Sequence, residues 1–91
     1  MSLIPKSAME GAARALGYGA QKYNDYNYRK GLKHRRVADA LLRHLMSWLE
    51  NEDLDPESGL SHIDHVLANA CLLSWLIENK PELNDRWNKD E

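Results

Sequence analysis

The chain contains no phenylalanine, a single cysteine and three prolines in 91 residues. With one cysteine no disulfide framework can form, and a reducing compartment is compatible. Zinc held by cysteine thiolates is excluded on the same ground. Cys71 lies in an apolar segment, where a thiol is expected to serve as a small buried apolar residue. No apolar run approaches the roughly 20 residues that span a bilayer. No charged stretch leading into an apolar one opens the chain. These absences predict a soluble, cytoplasmic protein with no membrane partner. The net charge is −2, so bulk charge offers no argument for a nucleic acid polymer as partner. The G-x-x-x-x-G-K-S/T loop, the G-x-G-x-x-G turn and the serine elbow are all missing. If this is an enzyme, metal-activated water is the expected nucleophile.

What the chain does have is segregated charge. Glu50, Glu52, Asp53, Asp55 and Glu57 put five carboxylates into eight residues, and His44, His62 and His65 flank them. Arg29, Lys30, Lys33, Arg35 and Arg36 form a basic block upstream. Carboxylates beside imidazoles suit a divalent cation, with Mn²⁺, Co²⁺ or Ni²⁺ served at least as well as Mg²⁺. A basic block suits a polyphosphate. The expectation is a metal pocket facing a phosphate pocket. A solvated acidic loop is the plain alternative for residues 50–57. Against it, Pro56 and Ser58-Gly59 constrain the run, and His62-x-x-His65 follows at once.

Periodicity predicts an all-α domain over residues 7–87, with flexible ends at 1–6 and 88–91. Ser7 and Glu10 read as a capping box, opening an alanine-rich helix with Met9, Ala12, Ala13, Leu16 and Ala20 on its apolar side. Gly11, Gly17 and Gly19 weaken that helix by roughly 1 kcal/mol each against alanine, which suggests close packing on a neighbour or a frayed end. Residues 21–36 read as a loop rich in tyrosine and cations, with Asn24-Asp25 and Asn27 as turn formers. Tyrosine and arginine together can stack on a base and hold phosphate. A second helix over about 37–51 carries Val37, Leu41, Leu42, Leu45, Trp48 and Leu49 as one stripe, with His44 at its edge. Ser61 caps a third helix over about 62–79, with Asp64 at the capping-box position. There His62, His65 and Asn69 share a face that can look back at the second helix. Pro81 can open a short terminal helix through Trp87. A core this small is often completed by self-association.

Three motifs occur in order. The first is Gly19-Ala20-Gln21-Lys22-Tyr23-Asn24-Asp25-Tyr26-Asn27-Tyr28-Arg29-Lys30-Gly31. The second is Leu42-Arg43-His44-Leu45. The third is Glu52-Asp53-Leu54-Asp55-Pro56-Glu57-Ser58-Gly59-Leu60 with His62 and His65. Together they resemble the phage and bacterial dATP/dGTP diphosphohydrolase domain, a relative of the MazG-like all-α nucleotide pyrophosphohydrolases, over roughly residues 9–78. The resemblance implies a helical hairpin core of three to four helices, completed by homo-oligomerisation. It implies a divalent cation as cofactor and cleavage of purine deoxynucleoside triphosphates to monophosphate and pyrophosphate. Carried over, Glu52, Asp55, His62 and His65 would hold one or two cations, and Glu57 or His44 would accept the proton of the attacking water. Lys22, Asn27, Arg29 and Lys30 would belong to the nucleotide side, joined by Arg43 on the phosphates. Tyr23, Tyr28 and Asn69 would contact base or sugar. Tyr28 stands in place of an expected tryptophan and Asn51 in place of an expected glycine. The paired-glutamate signature of the wider MazG-like group is absent, so that relation rests on architecture. A non-catalytic module that binds nucleotide or metal is the alternative. An HD-type phosphohydrolase is a third reading, disfavoured because only the reversed order, Asp64-His65, occurs.

Overall fold

A computed structural model describes residues 3–24 and 26–88. Three α-helices make up the all-α fold of the described residues: α1 (Lys6–Tyr23), α2 (His34–Leu49) and α3 (His62–Asn79). Two short 3₁₀ turns accompany them, at Asn27–Lys30 and Pro81–Leu83. The helix α3 is the shared partner. α2 runs antiparallel to it, with His34 at Lys80 and His44 at His62, while α1 crosses its N-terminal half at Asp64 and His65. No helix of the described residues is long and apolar enough to cross a membrane.

Several boundaries differ from the sequence expectations, each for a local reason. α1 opens on Pro5, not on Ser7: Pro5 holds φ −57°, and its carbonyl accepts from the N–H groups of Ala8 and Met9. A proline already has a helix-compatible φ and no N–H to leave unpaired. Glu10 consequently forms no capping box and pairs with Lys6 one turn back, at 3.6 Å. α1 also runs on to Tyr23, and α2 begins at His34, so the loop between them is shorter than expected. The terminal helix is reduced to the Pro81–Leu83 turn, with Trp87 exposed. The expected turn at Asp25, and the expected loose ends at residues 1–2 and 89–91, lie outside the described residues.

The buried face of α1 is also different. Gly11 and Ala15 are its buried residues, whereas Met9 and Ala13 are exposed. The missing side chain at Gly11 is filled by the Asp64 carboxylate, which a Cβ there would strike. Arg14 lies beside it and donates from Nε to Asp64 Oδ2 at 3.1 Å. Asp64 is therefore an α1–α3 joint. Gly17 and Gly19 meet nothing.

Four apolar side chains are buried among the described residues (Ala15, Val37, Ala68 and Leu76) against five polar ones, namely His34, His44, Asp55, His62 and Asp64. The interior is thus built as much on hydrogen bonds as on apolar area. No buried side-chain nitrogen or oxygen in the described residues lacks a partner. Correspondingly, much of the apolar stripe of α2 faces outward, with Leu42, Trp48 and Leu49 exposed alongside Met46. Cys71 is exposed too, contrary to the expectation of burial. It lies with Ala70, Ser74 and Glu78 among the exposed positions of α3.

Candidate metal centre

Local structure aims the acidic turn inward. α2 ends in a Schellman arrangement: Glu52 N–H reaches Ser47 O at 3.0 Å, Asn51 N–H reaches Trp48 O at 2.9 Å, and Asn51 takes φ 71°. That left-handed position favours glycine, and asparagine tolerates it better than most side chains. The unexpected Asn51 therefore still ends the helix. Beyond it the chain bonds to itself, with Asp55 N–H to Leu60 O at 2.8 Å, His62 N–H to Asp53 O at 3.0 Å and Gly59 at φ 74°. Ser61 then caps α3 by accepting from Ile63 N–H at 3.1 Å. This short closed turn sets Asp55 inward, buried, between the His-bearing faces of α2 and α3.

His44, Asp55 and His62 each offer one ligand atom within 4.8 Å of the others, and all three are buried. The hydrogen bonds around them run in one direction. Arg43 can only donate, so its contact with His44 Nε2 at 3.2 Å makes that nitrogen the acceptor. A neutral His44 then carries its proton on Nδ1 and donates to His62 Nδ1 at 2.8 Å. His62 in turn donates from Nε2 to Glu52 Oε1 at 2.7 Å. A carboxylate behind an imidazole fixes its tautomer and strengthens it as a ligand, so Glu52 backs His62 and sets His62 Nδ1 as the lone pair that accepts from His44. His65 stacks on His44, with ring centroids 4.4 Å apart and planes 11° off parallel. Its Nε2 hydrogen-bonds Ser58 Oγ at 2.7 Å and lies 3.6 Å from Asp55 Oδ2.

The electrostatics keep this cluster ready for a cation. Burial, then the neighbouring His65 and Arg43, push His44 down to about 4. His65 is lowered too, chiefly by burial. Both imidazoles are uncharged at neutral pH, the form that ligates metal. Burial alone would raise Asp55, but hydrogen bonds from the Ser58 side chain and N–H outweigh it and hold the carboxyl below its ordinary range. The His44 and His62 rings with the Asp55 carboxylate form a donor set that fits a divalent transition metal.

The other expected site residues are distributed. Glu57 sits at the rim, bonded to Lys22 of α1 at 2.5 Å, and that ammonium holds the carboxyl below its usual range. Lys22 also lies 5.3 Å from the centroid of the Tyr23 ring. Asn69 donates back to the His65 carbonyl at 2.9 Å within α3. Asn27 and Lys30 bound the 3₁₀ turn. In that turn Arg29 lies over Tyr26 at 4.2 Å and within 6 Å of Tyr28 and Trp75, and Tyr28 meets Trp75 edge-on at 5.2 Å. Trp75 is ten residues beyond His65, or about 15 Å along the helix. The structure thus brings Arg43, Lys22 and Glu57 to the His–Asp cluster and sets Tyr28 and Arg29 at the far half of α3.

Two contributors were missed from the sequence. Ser58 supports both Asp55 and His65. Its position three residues after Asp55 is the spacing at which an aspartate caps a turn. Tyr18 packs edge-on to His65 at 6.1 Å, and burial followed by the charge of Glu57 raises its hydroxyl. It precedes Lys22 by one helical turn, which was the available signal.

A family model described as dATP/dGTP diphosphohydrolase, N-terminal, matches residues 1–86. A Salmonella phage PMBT28 protein named dATP/dGTP diphosphohydrolase is 38% identical over 86 residues, which cover 94% of this chain. The chain spans only 29% of that relative's length. No solved structure matches.

Proposed function

The chain belongs to the dATP/dGTP diphosphohydrolase N-terminal family, and from that premise we propose that it hydrolyses purine deoxynucleoside triphosphates to monophosphate and pyrophosphate with a divalent cation. The observation that carries the metal reading is the buried His44–Asp55–His62 set within 4.8 Å. Those three residues would hold the ion, with Mg²⁺ or Mn²⁺ as first candidates and Co²⁺ or Ni²⁺ also suited. When bound, such an ion lowers the pKa of a coordinated water and polarises a phosphoryl oxygen. Glu52 orients His62 from behind. Ser58 orients both Asp55 and His65. His65, neutral at pH 7 and stacked on His44, is the proton acceptor nearest the cluster. Arg43 and Lys22 supply positive charge on its rim for the triphosphate. The homo-oligomer implied by the resemblance would cover the exposed α2 face of Leu42, Met46 and Leu49.

A second reading is a non-catalytic nucleotide- or metal-binding module. It is favoured by the part of the relative that lies beyond this match, and by cations already engaged, Lys22 with Glu57 and Arg29 with aromatic rings.

Product analysis decides between them. Metal-free protein is supplied with Mg²⁺ or Mn²⁺ and each common NTP and dNTP, and products are separated by ion exchange. Monophosphate with pyrophosphate, strongest for dATP or dGTP, is the expected outcome. Release of triphosphate would instead indicate HD-type chemistry. Binding without turnover would leave the module reading.

A further inference from the structure

Among the rim cations, Arg43 is in an unusual position. Arg14 is paired with Asp64 and Lys22 with Glu57. Arg29 lies on Tyr26, Tyr28 and Trp75. Arg43 has no carboxylate within ion-pair distance among the described residues, and its partner is the ring nitrogen of His44, at 3.2 Å. A neutral imidazole has one lone pair. In His44 that lone pair is on Nε2, and the Arg43 guanidinium occupies it.

We infer that Arg43 and a divalent cation compete for the single lone pair of His44, so that metal loading frees Arg43 to grip the anionic substrate. This inference rests on the metal reading above. It holds for either ring nitrogen. A cation on Nε2 takes the lone pair that Arg43 now holds. A cation on Nδ1 forces the proton to Nε2, where its N–H faces the guanidinium N–H groups and the contact breaks. In both cases the positive ion also repels the guanidinium from a distance of a few ångströms. No change in total protonation is needed, because the proton only moves between the two nitrogens of one ring. Arg43 is exposed at the C-terminal half of α2, so it can swing outward without unpacking the core. Once released it is a planar fork beside the metal centre, suited to two phosphate oxygens. Empty, the site is closed to anions by a satisfied arginine; loaded, it offers both metal and arginine. Arg43 is thus a positioning residue for the metal and a binding residue for the phosphates.

The test uses Co²⁺, whose visible absorption reports ligation without turnover, and a dATP analogue with a methylene bridge between the α- and β-phosphates. In Arg43→Met, Co²⁺ is expected to bind about three- to tenfold more tightly, the equivalent of one net hydrogen bond not having to be broken. The Co²⁺-loaded variant is expected to bind the analogue at least tenfold more weakly than wild type. These opposite signs distinguish the inference from a structural role, which would loosen both. Unchanged Co²⁺ affinity in Arg43→Met would overturn the competition while leaving the metal site standing. Absence of a Co²⁺ spectrum in both proteins would overturn the metal reading and the inference together. Nitrogen-15 spectra of the wild-type imidazoles give an independent check. The metal-free protein should show His44 protonated on Nδ1 and bare on Nε2, and the reverse tautomer would refute the argument.

Discussion

The two ends of the α2–α3 hairpin both bury a histidine, and they use it in opposite ways. Where α2 begins and α3 closes, His34 is 5% exposed, and its Nε2 bonds the Lys80 main-chain carbonyl at 3.0 Å. Gly31 stands over Leu83 there, and Arg35 N–H donates to Asp85 at 2.8 Å, so the contacts bind the tail to the hairpin. At the other end His44 is equally buried at 5%. Its partners are Arg43 and His62, and a carboxylate stands behind His62. A histidine bonded to a backbone carbonyl is fixed as a donor that ties chain segments together. Histidines bonded to each other bring ring nitrogens together within 4.8 Å of the Asp55 carboxylate. Burial alone therefore does not separate a histidine that ties chain segments together from one in a candidate metal centre; the chemical type of the partner does.

The sharpest way to break that comparison is to remove one histidine from each end. His62→Ala should abolish Co²⁺ binding and any pyrophosphate release, and should cost about 2–4 kcal/mol in urea denaturation by leaving a cavity and unpaired neighbours. His34→Ala should cost about 1–3 kcal/mol by the same reasoning yet leave Co²⁺ affinity within twofold of wild type. Loss of Co²⁺ binding in His34→Ala would erase the distinction between the two ends.

A smaller effect is expected one shell out. Glu52 touches the cluster through His62 Nε2. Glu52→Ala should weaken metal affinity by roughly 10- to 100-fold without abolishing it, while the helical circular dichroism stays intact. Complete loss of binding would mean that Glu52 ligates the metal directly.

The pH dependence sharpens the comparison further. His44 is depressed from an ordinary 6.5 to about 4 in the fold. Below 6.5 the unfolded chain takes up a proton that the folded one refuses. Stability is therefore complete above about pH 6.5 and declines as pH falls toward 4, by something on the order of 3 kcal/mol. That corresponds to roughly 12–24 °C in melting temperature for a chain of this size. His44→Gln should flatten most of this slope. An equally steep slope in that variant would move the effect to His65, which burial also depresses.

Much of the local architecture was legible in the sequence. Ser61 as a cap and a helix from His62 to Asn79 are where the pattern put them, because a serine before an apolar-periodic run satisfies backbone donors using atoms close in the chain. The helical hairpin and the acidic turn between its arms were equally readable. The side of α1 that is buried was not. Its alanines and glycines differ too little in hydrophobicity to choose a face, and the choice fell to Asp64, which needs the space at Gly11 and the charge of Arg14. Cys71 misled for a related reason: α3 is apolar around much of its circumference, and among the described residues two other helices cover it.

For the candidate site the division is similar. By itself the sequence determined the ingredients: histidines spaced on one face of α3, a histidine on the facing helix, carboxylates in a turn stiffened by Pro56 and Gly59, and a basic-aromatic loop upstream. Spacing along a helix is set by its pitch, so these could be read without a fold. Only the tertiary structure decided which carboxylate is buried, that His44 joins Asp55 and His62, that Glu52 stands behind His62, and that Arg29 rests against Trp75 far along α3. Those outcomes depend on how α2, α3 and their turn pack together, and on a hydrogen-bond chain whose links lie up to 18 residues apart. Such contacts are closed through space, where sequence spacing carries no direct signal.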